Sequence, residues 1–134
     1  MKFRLLFAMC IASFSVAAGE TPRFMVENVD SLATLKSPLN LCIEGTHYKN
    51  LDIKKQVRFM HLAAKVDGMA LKIQKFYNDK IIFGAYLQMV SKYSDSQSVN
   101  VLMNRYGGLC SDKMYFEIER IFSESEDQMN RYLR

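Results

Sequence analysis

The sequence predicts an all-α, single-domain bundle of about five helices carrying one disulfide. Three observations lead there. Apolar residues recur at three- and four-residue intervals along most of the chain, which is the spacing of helix faces. No segment sustains the apolar–polar alternation of a half-buried strand. Two prolines and six glycines in 134 residues also leave little material for hairpin turns.

The first helix is read from Leu32, Leu35, Leu39, Cys42 and Ile43, starting behind Asp30 or Ser31 as N-cap and ending near Gly45. Pro38 falls inside that pattern. It either kinks the helix or starts a second piece, with Ser37 as cap and Pro38 at the first helical position. The second helix begins behind Asp52. Its main stripe is Phe59, Leu62, Ala63, Val66, Met69, Ala70, Ile73, Phe76 and Tyr77, and its phase is unbroken across Asp67-Gly68. A further apolar set (Ile53, Val57, Met60, Ala64, Leu71) covers a neighbouring face, so only the strip Lys54, Arg58, His61, Lys65 and Lys72 is polar. A helix apolar over most of its circumference belongs in the middle of a bundle.

The third helix starts behind Asn78 or Asp79 and carries Ile82, Tyr86, Met89, Val90 and Tyr93. Residues Ser94 to Ser98 read as a turn followed by a new N-cap. A short fourth helix carries Val99, Leu102, Met103 and Tyr106, and Gly107 supplies the left-handed residue that ends it. The fifth runs from Ser111 through Ile118, Ile121, Phe122 and Met129.

The N-terminus sets the compartment. Lys2 and Arg4 precede an apolar run, Leu5 to Val16, and "SVAAGE" places Val16 and Ala18 at the small-residue positions of a secretory cleavage site. The run is shorter than the ~20 residues that span a bilayer. Met9 before Cys10 does not fit a lipoprotein signal. Cleavage after Ala18 is expected, with residues 1–18 a signal peptide and residues 19–134 one bundle domain, periplasmic or secreted, without an integral membrane segment. Removing Lys2 and Arg4 leaves 16 of the 18 basic residues against 14 acidic ones, a net charge of +2. Non-specific nucleic-acid binding calls for more positive charge than that.

Cleavage also removes Cys10 and leaves two cysteines, Cys42 and Cys110. A metal site needs several ligands at short spacing, and the chain has no C-x-x-C, H-E-x-x-H or C-x-x-C-H, so no metal or cofactor is expected. Two cysteines in an oxidising compartment read as a disulfide. Cys42 ends the first helix, so Cys110 must lie at the same end of the bundle. The second helix spans ~37 Å at 1.5 Å per residue, and the third and fourth placed end to end nearly match it. The predicted path is therefore up, down, up along a kinked rod of helices three and four, then down.

No G-x-S-x-G, phosphate-cradling glycine loop or dinucleotide fingerprint occurs. Glu117 and Glu119, two apart on a helix, point to different faces. The chain reads as non-catalytic. The nine methionines could line a cofactor pocket in the bundle, haem-like in the alternative reading as a small-molecule carrier. On core-facing stripes, however, flexible filling is their ordinary task. The expected function is binding another protein, most concretely as an inhibitor or immunity-type protein neutralising a secreted toxin or cell-wall hydrolase. In signal, size, helicity and single staple, the layout is similar to small helical immunity proteins. Two surfaces compete for that partner. One is the stapled end, with His47, Tyr48, Lys49 and Tyr106 held rigidly. The other is the basic surface of Lys54, Arg58, Lys65 and Lys72.

Overall fold

The computed structural model describes residues 21–96 and 99–134. The expected signal peptide and the expected cap at Ser98 lie outside them. The described residues form five α-helices and no strand: α1 (Arg23–Glu44), α2 (Ile53–Tyr77), α3 (Ile82–Ser96), α4 (Val99–Tyr106) and α5 (Asp112–Tyr132), with a 3-10 turn at Tyr48–Asn50. No helix among the described residues is long and apolar enough to cross a membrane.

α1 starts a full two turns earlier than expected. Met25 and Val29 extend the buried stripe of Leu32 and Leu39 backwards to Pro22. The apparent cap residues are interior to the helix instead. The Ser31 hydroxyl donates to the Glu27 carbonyl at 3.1 Å, Thr34 does the same to Asp30 at 3.0 Å, and the Asp30 carboxylate accepts the Tyr93 hydroxyl. Pro38 neither breaks α1 nor opens a second piece. It lies buried inside one continuous helix, where it denies the Thr34 carbonyl its usual N–H donor.

The other boundaries follow local chemistry. The Asp52 carboxylate accepts the Lys55 N–H at 2.9 Å and caps α2, a contact worth about 1 kcal/mol. Asn78 closes α2 in the left-handed region at φ 52°, which asparagine tolerates better than most residues. α3 starts at Ile82, beyond both expected caps, and continues through Ser94 and Ser96, where a turn was expected. Gly107 at φ +70° ends α4, and the Ser111 hydroxyl accepts the Met114 N–H to start α5 while donating to the Tyr106 carbonyl at 2.6 Å.

Cross-links between helices fix the topology. Lys36 meets Asp67, so α2 returns antiparallel to α1. Thr21 donates to Asp79, Tyr93 to Asp30, and Cys42 is disulfide-bonded to Cys110, three ties that rise in step along α1. α3 and α4 therefore run parallel to α1 as one rod. Asp112 lies beside Lys55 and Arg58, and Asn130 beside Lys72, so α5 descends alongside α2. The path is up, down, up, down.

α1 packs against α2, α3 and α5, and α3 and α5 each also touch α2. The core holds Phe59, Tyr86, Phe122 and Met25 among its largest members, together with Met69, Met89, Met114 and Met129. Met60 and Met103 are exposed, contrary to the expectation that the methionines fill the core.

Candidate functional site

The stapled end differs from its sequence reading. Tyr48, in the 3-10 turn, is 9 % exposed, and its hydroxyl donates to the Gln56 carbonyl at 2.8 Å. Gln56 in turn donates to the Leu51 carbonyl at 2.9 Å, so the turn is tied to the start of α2. Tyr106 is 7 % exposed, packed in the core at the end of α4. Neither tyrosine is presented to a partner. A ring that finds apolar neighbours on one side and a backbone acceptor for its hydroxyl is more stable buried. Of the four residues expected here, His47 and Lys49 alone are exposed.

The basic surface is also divided. Arg58 is drawn sideways onto α5: its guanidinium carbon stands 4.4 Å from the centre of the Tyr115 ring and 5.3 Å from that of Phe116, and Nη2 lies 3.6 Å from Asp112. Stacking of this kind suits the planar, weakly hydrated guanidinium. Lys72 donates to Asn130 on α5. Lys54, His61 and Lys65 face solvent.

Where α1, α2 and α3 meet, Asp67 Oδ1 accepts both Lys36 Nζ and the Tyr86 hydroxyl at 2.6 Å. Tyr86 is fully buried and Lys36 nearly so. Burial, then the hydrogen bond to Asp67 and its negative charge, hold the Tyr86 phenol far above its ordinary range, so it stays protonated and cannot act as a base. The group is a clamp on three helices. Nothing in the spacing of Lys36, Asp67 and Tyr86 signals it, because each comes from a different helix.

The largest departure lies on α2. The core-facing residues Phe59, Leu62, Val66, Met69 and Ile73 are buried as expected, but Phe76 at the end of that stripe is exposed, and so is the second apolar set. Ile53 is 74 % exposed, Val57 58 %, Met60 58 % and Leu71 46 %, and Ala64 is exposed with them. α2 contacts α1, α3 and α5 through one side only, so its outer face lacks a neighbour within the described residues. The positions 53, 57, 60, 64 and 71 advance by alternating steps of four and three, with Asp67 completing the series. That is the heptad spacing of a helix–helix seam. Beside it runs a second row in the same rhythm: Lys54, Arg58, His61, Lys65, Gly68, Lys72 and Lys75. Every member but Gly68 is basic or histidine. The sole carboxylate within α2, Asp67, is turned to Lys36 and Tyr86. The sequence signal for this surface is the strict heptad spacing of the second set, which differs from the broad stripe of a core-facing helix.

No protein-family model, curated protein or solved structure matches this chain.

Proposed function

We propose that this chain is a non-catalytic protein-binding module of the periplasm or the secreted space, of the inhibitor or immunity type, and that it binds through the outer face of α2. The observation that carries the reading is the uncovered seam of Ile53, Val57, Met60 and Leu71 with its cationic margin. A helical seam of large apolar side chains left in water is unfavourable by roughly 25 cal/mol per Å² that a partner would cover. Contiguous patches of this sort mark interaction surfaces. The Cys42–Cys110 disulfide suits an oxidising compartment, in keeping with the secretory signal read at the N-terminus.

The test is affinity capture from native envelope extract with mass spectrometry, comparing the wild type with Val57→Glu/Met60→Glu. Both residues are well exposed, so the double variant should fold with an unchanged melting temperature. A species retained by the wild type and lost by the variant supports the reading. Identical retention by both moves binding elsewhere.

A further inference from the structure

We infer that the outer face of α2 takes an amphipathic helix with an acidic flank set against the row of Lys54, Lys65 and Lys75; this rests on the protein-binding reading above and specifies the partner's chemistry. Four observations carry it. First, the exposed apolar row keeps heptad steps from Ile53 to Ala64 and resumes at Leu71, with Asp67 at the intervening step turned to Lys36 and Tyr86, a length of roughly 27 Å at 1.5 Å per residue. A narrow seam of that kind matches a second helix, whereas helices that lie on bilayers carry a wide apolar face.

Second, Gly68 stands in mid-helix beside the seam, and a Cβ built on it meets nothing within 4 Å. Glycine weakens a helix interior relative to alanine, and no packing among the described residues requires one here. With Ala64 one turn earlier, it forms a hollow that accepts a side chain or a close backbone from a facing helix. Third, the margin next to the hollow is cationic along its length. Lys54, Lys65 and Lys75 carry no ion pair among the described residues. Opposite charges at flanking positions select the partner of a heptad seam.

Fourth, the same charges disfavour a second copy. A two-fold antiparallel pairing that sets Ile53 against Leu71 and Met60 against Ala64 of the other copy brings the two cationic margins together. Lys54 of one copy then lies across from Lys72 and Lys75 of the other, and like charges so placed repel.

The experiment uses two synthetic helical peptides of about 21 residues, long enough to match the seam. Both carry leucine on heptad positions; one has glutamate on both flanks and the other lysine. Each is titrated into the disulfide-bonded protein by fluorescence anisotropy at about 50 mM and about 500 mM salt. The glutamate peptide should bind at least about tenfold more tightly than the lysine peptide at low salt, with the gap narrowing at high salt. Gly68→Leu should fill the hollow and weaken binding about tenfold, while raising the melting temperature because leucine is the better helix former. Lys54→Glu/Lys65→Glu should largely erase the peptide preference, because Lys72 and Lys75 then only balance the two new carboxylates.

Equal binding of the two peptides, or Gly68→Leu binding like the wild type, overturns the inference. So does self-association in light scattering that depends on Met60, or α2-dependent binding to phosphatidylglycerol vesicles without peptide preference. The two failures are separable. Loss of α2-dependent capture from envelope extract removes the protein-binding reading itself, whereas intact capture without peptide discrimination removes only the acidic helix.

Discussion

Reducing the disulfide should cost this protein a large part of its stability, and the two cysteines should not be equivalent once the bond is gone. Cys42 and Cys110 lie 68 positions apart with Cα atoms 5.1 Å apart. Opening a loop of that size returns about 4 kcal/mol of chain entropy to the unfolded state. At roughly 4 °C per kcal/mol for a domain of this length, the melting temperature should fall by about 15 °C. The backbone adds a second term. Cys110 sits at φ 64°, where a side chain costs about 1–2 kcal/mol relative to glycine. In a Cys42→Ser background, Cys110→Gly should therefore melt several degrees above Cys110→Ser. Far-UV circular dichroism melts of oxidised, reduced and variant protein measure both terms. Oxidised and reduced protein melting within about 3 °C would refute the loop estimate. A glycine variant no better than serine would refute the strain at Cys110.

Asp67→Ala should destabilise by about 3 kcal/mol, because it leaves the Lys36 ammonium, 10 % exposed, without its partner; urea titration measures this, and Lys36→Met/Asp67→Leu should recover much of the loss. Tyr48→Phe should cost about 1 kcal/mol for the lost bond to Gln56, and Tyr48→Ala about 3–5 kcal/mol, both read from chemical denaturation with partner capture unchanged at temperatures where the variants stay folded. Stability should decline above pH 10. There the unfolded chain ionises Tyr86 at its ordinary value of 10.0, while the folded chain, with its phenol held higher, keeps the proton. Tyr86→Phe should make that alkaline limb shallower in melts taken across the same range, leaving the part that Tyr48, Tyr77 and Tyr115, also raised by burial, contribute in the same direction.

Most of the fold was legible because its signals are local. The helix from Phe59 to Tyr77 continued across Gly68, Gly107 marked a left-handed end and Ser111 marked a start, whereas Asn78, read as a cap for the third helix, closes the second instead. The pairing of Cys42 with Cys110 followed from counting, and it placed α3 and α4 on one rod. The beginning of α1 was misread because Asp30 and Ser31 have cap chemistry, yet a serine inside a helix can bond back to the carbonyl four residues earlier, as Ser31 does. The candidate site was harder. Whether Tyr48 points out or in depends on the Gln56 carbonyl waiting on another element, which spacing cannot reveal. The second apolar set of α2 was legible as a stripe, but periodicity does not say whether a neighbour covers it. Only the count of helices packed around α2 decides that, and it left Ile53, Val57 and Met60 in solvent.

The measurement that bears most directly on the α2 surface is a site-specific photocrosslinking scan in the native host. A photoreactive residue is placed in turn at Val57, Met60 and Lys65 on the outer face of α2, at Lys49 on the stapled end, and at Lys113 on α5. A discrete adduct at the three α2 positions, absent at Lys49 and Lys113 and markedly reduced when Gly68→Leu is combined with any of the three, is the predicted result. An adduct confined to Lys49, with α2 silent, would return the binding site to the stapled end and contradict the assignment.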